Sequence, residues 1–228
     1  MMGLTEDRTR RVFRSVALAL IAYYWFMSLI IGPVDEDAKR WAGGFSFLSN
    51  WNLTLNLVVA LGAIINEFGG RDRFDKPILA AAMGVNIIVL MLYWTLKALG
   101  ALGEVEAYDS FFDMFRDYYI HGITTVFLFG EAVFYSEPFE DWRRSYGIFM
   151  VIFFGYIIWM EAFVSQRDDF PCGEILVNNC GFPYEFLNDL NTTGRLIFYF
   201  GVWILGNLAY GFSYWLVKYK ERNWASTE

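Results

Sequence analysis

One histidine and a short polar stripe carry most of the chemistry this sequence could perform. The apolar stretch that opens FSFLSNWNLTLN places Ser49, Asn52 and Asn56 at i, i+3 and i+7, on one face of a helix. A polar stripe in a hydrophobic helix faces a bundle interior or a cavity, because lipid offers its groups no partners. Interhelical hydrogen bonding is the plainer use of such a stripe. His121, the only histidine, begins a second apolar stretch, HGITTVFLFGEAVF. If both stretches enter a membrane from the same face, Ser49 and His121 lie within a few residues of that face. At about 1.5 Å of rise per residue their depths agree within a few Å. A hydroxyl and an imidazole at one level form a nucleophile–base pair when in reach, since imidazole titrates near neutrality. Local roles compete with that reading: a helix-capping serine and an interfacial histidine. Glu131 lies ten residues past His121, about 15 Å deeper, so it serves as a buried acid or a cavity floor rather than as the partner of the imidazole. Glu161 and Asp168 return to the level of His121 and are the candidates for an orienting carboxylate.

The elements that must position these groups are transmembrane helices. Of 228 residues, 56% are hydrophobic, 20% aromatic and 19% charged, whereas a soluble domain carries about 25% charged residues. This balance excludes disorder, and two cysteines exclude a disulfide-built mini-domain. The net charge of −7 excludes a nucleic-acid footprint. A lone histidine limits any His-based metal site, and no cofactor motif is present. Six stretches are near the length that spans a bilayer: 15–32, 47–65, 77–99, 118–135, 146–163 and 196–217. The first is too long for a signal-peptide core and lacks a cleavage site. Lys and Arg divide twelve against six between alternate connections, with both tails on the richer side. The fold expected is therefore all-α: a six-helix transmembrane bundle in one domain, with both termini on the same, positive-inside side. That side is cytosol for an ER or plasma membrane and matrix for a mitochondrial inner membrane.

Two connections on the opposite side stand out. Residues 101–117 alternate Phe111, Phe112 and Phe115 with Asp109, Asp113 and Asp117, as an interfacial helix would. The 164–195 loop holds Cys172 and Cys180, either a disulfide or two free thiols, and a glycosylation sequon at Asn191.

Four patches then carry a family resemblance: GGFSFLSNWNLTLN, HGITTVFLFGEAVF, GYIIWMEAF and TGRLIFYFGVWILGNLAYGF, in that order from residue 43 to 212. Together they resemble the androgen-induced-gene family of six-helix membrane proteins. The resemblance implies an atypical lipid hydrolase, one that cleaves fatty acid esters of hydroxy fatty acids with an intramembrane Thr nucleophile and His base. The family Thr falls on Ser49, and the family His falls on His121 when the patch is anchored at Glu131. Serine keeps the hydroxyl the chemistry needs. Thr54 is a second hydroxyl, about 7.5 Å deeper and about 140° round the helix. Asn52, Asn56 and Thr54 are the expected substrate-binding wall, with the Asn52 amide the nearest oxyanion donor. The second His that the family often carries is absent from DYYIHG, and the Cys-bearing 164–195 loop also departs from the pattern. The expected partners are membrane lipids. Because a fold does not dictate an activity, the competing function is that of a non-catalytic accessory subunit among other subunits of a large membrane complex, such as a mitochondrial respiratory assembly. Transport is disfavoured by the few charges within spans and the absence of an inverted repeat.

Overall fold

The computed structural model describes residues 2–31, 41–69, 76–102, 108, 110–167 and 181–224. Helix accounts for 88% of the described residues, with no strand among them. The elements are α1 (Met2–Phe26), α2 (Leu48–Gly69), α3 (Lys76–Ala98), α4 (Phe111–Tyr118), α5 (Thr124–Gly130), α6 (Trp142–Trp159), α7 (Ser165–Arg167), α8 (Glu185–Asn188) and α9 (Thr192–Trp224). Short π-helical stretches extend or join them at Met27–Ile31, Tyr119–Ile123, Glu131–Tyr135 and Met160–Val164. Cys172, Cys180 and Asp168 lie outside the described residues, so the disulfide expectation does too.

Among the described residues, five helices are long and apolar enough to cross a membrane: Asp7–Ile31, Leu48–Phe68, Lys76–Ala98, Trp142–Arg167 and Thr192–Asn223. The stretch expected at 118–135 lies in a continuous helical run from Phe111 to Tyr135. It falls outside the five because His121, Thr124, Thr125 and Glu131 load it with polar groups.

Local chemistry sets the boundaries. The Ser110 hydroxyl accepts from the Asp113 amide to cap α4, and the Asp141 carboxylate accepts from the Arg144 amide to cap α6. Asn191 Oδ1 accepts from the Gly194 amide at 2.8 Å, so the sequon asparagine acts as the cap of α9. Pro77 sits in the first turn of α3, where its missing N–H costs nothing.

Helix α3 is the central post. Its LAAAM stretch, Leu79 to Met83, is fully buried, and it packs on α2, α5, α6 and α9, while α1 lies on α2. Small residues permit the close approach. A Cβ on Gly206 of α9 would stand 2.9 Å from Ile88 and 3.0 Å from the Phe149 ring. Away from this post the helices present apolar side chains outward, among them Val126, Val151, Ile197 and Leu208, all highly exposed, as a lipid-facing surface would.

Opposite ends of the bundle hold different polar chemistry. At one end, Arg14 of α1 binds both oxygens of Glu131 (3.0 and 2.6 Å) and Glu67 of α2 at 2.6 Å; Arg10 and Arg11 also bind Glu67. The partner of Glu131 is thus Arg14, with Ser136 Oγ adding a 2.7 Å bond. The other end holds a cavity.

Candidate active site

The cavity encloses about 730 Å³, within the roughly 300–1,000 Å³ typical of small-molecule sites. The first turn of α2, the C-terminal half of α3, α4 and its π-helical continuation, the end of α6, α8 and the start of α9 line it. Ser49 and His121 both line it. No hydrogen bond joins the two side chains among the described contacts.

Ser49 is the second residue of α2. The first amides of a helix have no intrahelical acceptor. The Leu48 amide is satisfied by the Tyr184 hydroxyl at 3.0 Å, and the Asn50 and Trp51 amides by Phe47 O. Neither the Ser49 amide nor its hydroxyl has a partner among the described residues. Ser49 therefore stands at the positive end of the α2 helix dipole. Ser28, at the π-helical end of α1, lines the same cavity; its hydroxyl is buried and without a hydrogen bond.

His121 sits in the π-turn Tyr119–Ile123, and its orientation is held from three directions. Its Nδ1 lies 3.0 Å from Asp117 Oδ1 and 3.0 Å from Asp117 O. Both are acceptors, so Nδ1 carries a proton, and in the neutral imidazole the lone pair is then on Nε2. The imidazole stacks on the Tyr93 ring at 3.5 Å between centroids and 4° between planes. The indole of Trp94 donates to the His121 carbonyl at 3.2 Å.

Asp117 is the hub of this end. Besides His121 it accepts from the Tyr93 and Tyr108 hydroxyls and from Lys97 Nζ at 2.7 Å. Burial opposes its charge, but the bonds from His121, Lys97, Tyr108 and Tyr93 outweigh burial and hold the carboxyl well below the usual carboxylate range. Burial and the bond to Asp117 push the Tyr108 hydroxyl up, which keeps it a donor.

The other expected site residues lie elsewhere. Asn52 and Asn56 donate to Asn86 Oδ1 at 3.1 and 3.0 Å, Asn86 Nδ2 donates to Asn56 Oδ1 at 2.8 Å, and Thr125 donates to Asn86 Oδ1 at 3.4 Å. Asn52 and Asn56 are interhelical glue joining α2, α3 and α5 rather than part of this cavity's wall, because Asn86 offers them a buried partner; Ser49 alone of the stripe lines the cavity. Asn52 is accordingly unavailable as an oxyanion donor. Thr54 donates to Asn50 O at 2.8 Å and accepts from the Trp25 indole at 3.0 Å, away from the cavity. Glu161 is bound by Arg195 at 2.9 Å and by the Tyr199 hydroxyl at 2.7 Å, so it does not orient His121. Asp117 takes that role. The i, i+4 spacing of Asp and His in DYYIH was its sequence signal, whereas nothing local pointed to Tyr93 or Lys97 on α3. Among the described residues no group of three or more His, Cys, Asp or Glu is disposed to hold a metal.

The cavity thus places a serine hydroxyl and an Asp117-bound imidazole on one largely apolar chamber, with no hydrogen bond between them among the described residues. No curated protein and no solved structure matches the chain. The FAR-17a/AIG1-like protein family model matches residues 11–218, and the chain belongs to that family, the androgen-induced gene 1 family, as a hydrolase-like membrane protein.

Proposed function

We propose that the protein is an intramembrane serine hydrolase that cleaves fatty acid esters of hydroxy fatty acids. Ser49 is the nucleophile, His121 the general base and Asp117 the group that orients it. The observation that carries the reading is the shared cavity: Ser49 and the Asp117-bound His121 open onto one chamber whose walls are mostly apolar. Ser49 Oγ attacks the ester carbonyl and its proton passes to His121 Nε2. The developing oxyanion finds donors at the Ser49 amide and the Ser28 hydroxyl, neither with a partner among the described residues. Collapse breaks the acyl–oxygen bond, and the imidazolium returns its proton to the departing hydroxy fatty acid. Water, deprotonated by His121, then releases the second fatty acid and restores Ser49.

The same reading takes the run 118–135 as a sixth span, with both termini on the positive-inside face. The Lys and Arg distribution supports it. So do the contacts of one bundle end, where Arg14 meets Glu67 and Glu131 and Phe139 packs on Tyr210 and Tyr214.

The test is hydrolysis of a hydroxy fatty acid ester in detergent or nanodiscs. It compares wild type, Ser49→Ala, His121→Ala and Thr54→Ala at equal folded yield. Wild type and Thr54→Ala should turn over, and Ser49→Ala and His121→Ala should lose activity by about 10³-fold or more. Loss confined to Thr54→Ala would move the nucleophile. A folded wild type that is inert and copurifies at fixed stoichiometry with other membrane subunits would favour the accessory-subunit role.

A further inference from the structure

Among the described residues, one cation lining the cavity has no partner. Lys97 is fully engaged by Asp117, Tyr93 and Tyr108. Arg116, on α4 one residue before Asp117, also lines the cavity, half-buried, and its guanidinium has no hydrogen bond or ion pair among the described residues. The neighbouring carboxylates are committed or peripheral: Asp117 to Lys97, Asp113 to Ser110 at the helix cap, and Glu185 exposed at the rim. Every other arginine that anchors the bundle interior has a carboxylate, Arg14 with Glu131 and Arg195 with Glu161. Behind Arg116 the chamber is walled by Val89, Leu92, Phe153, Ile157, Phe198 and Val202. A single guanidinium at the mouth of an apolar chamber fits a planar, singly charged head on a hydrocarbon chain, because its forked donors match both oxygens of a carboxylate.

We propose that Arg116 is the binding site for the free carboxylate of a fatty-acid-type ligand, with the acyl chain in the apolar chamber. This deepens the hydrolase reading and rests on it only for the identity of the reacting bond. Arg116 precedes His121 by five residues, about 7.5 Å along a helix axis. A substrate anchored there presents to His121 an ester several carbons from its carboxylate, not one adjacent to it. Neutral esters such as triacylglycerols lack the anchor.

The experiment measures binding without turnover. Ser49→Ala protein in nanodiscs is titrated with oleate, oleyl alcohol and lysophosphatidate, each displacing a fluorescent fatty acid. Oleate should bind about tenfold or more tighter than oleyl alcohol. Arg116→Gln in the same background should erase that preference while oleyl alcohol binding is unchanged, and Arg116→Lys should keep part of it. The proposal is overturned if Ser49→Ala protein does not discriminate oleate from the alcohol. It is also overturned if Arg116→Gln binds oleate as tightly as its parent, or if lysophosphatidate is preferred to oleate. Should Arg116→Gln fail to fold, the oleate-to-alcohol ratio in the parent and in Arg116→Lys decides. Intact oleate preference in a protein that never hydrolyses esters would sink the hydrolase reading alone. Hydrolysis without carboxylate preference would sink the Arg116 site alone.

Discussion

Asp117 shows how much one residue decides here. A carboxylate that accepts from Tyr93, Lys97, Tyr108 and His121 keeps its charge despite burial and sets the imidazole tautomer. Asp117→Asn keeps the shape but offers Nδ1 an amide that can point its donor the wrong way. It should lower kcat for ester hydrolysis by about 10²–10⁴-fold with little change in KM, read from steady-state kinetics. The same residue predicts a pH effect on stability. Its folded-state pKa is depressed, so its contribution is complete above the unfolded value near 3.8 and is lost as pH falls below it. Melting curves from pH 6 to pH 3 should show wild type losing stability below about pH 4, and Asp117→Asn lacking that part of the decline.

Between elements, the asparagine knot is the joint that holds α2, α3 and α5 in register. Asn86 accepts from Asn52, Asn56 and Thr125 and also donates to Ala82 O at 2.8 Å. Asn86→Leu leaves two buried amides without partners and adds bulk in the most tightly packed helix. It should cost about 1–3 kcal/mol, measured as a loss of thermal stability in detergent. Ester turnover per folded molecule should change far less than in Ser49→Ala, because none of these amides reaches the cavity. A collapse of turnover at full stability would return the stripe to the substrate wall. The π-turn Tyr119–Ile123 is the other decisive element, since it carries His121 at the junction of α4 and α5. π-turns inside helices frequently mark functional positions.

At the scale of the whole molecule, two polar centres close the bundle at opposite ends. One end holds the cavity; at the other, the Arg14, Glu67 and Glu131 side chains are only 10%, 3% and 7% exposed. Buried pairs are costly to break from one side. Arg14→Gln should therefore destabilise the protein by about 3–5 kcal/mol, and the combination Arg14→Met with Glu131→Met should recover part of that loss, read by thermal melting of both variants. Equal melting temperatures for wild type and Arg14→Gln would show that this end does not hold α1 in place.

The sequence alone determined the class of molecule and most of its helices, because hydropathy is a local sum and the helices at 48–68, 76–98, 142–167 and 192–223 need no partner to be recognised as apolar. It also led to the expectation that Ser49 and His121 stand near one end of the bundle, and both line the same cavity. Tertiary structure decided what each polar group faces. Ser49, Asn52 and Asn56 share a helix face, yet Ser49 opens on the cavity from the first turn while the asparagines meet Asn86 deeper in the bundle. Which neighbour a face meets depends on helix rotation and packing, and no window of sequence contains that. A span begun at residue 118 also separates Asp117 from His121, although the helix runs unbroken through both. The Lys97, Tyr93 and Tyr108 partners of Asp117 come from across the chain, so only the folded bundle brings them to one carboxylate.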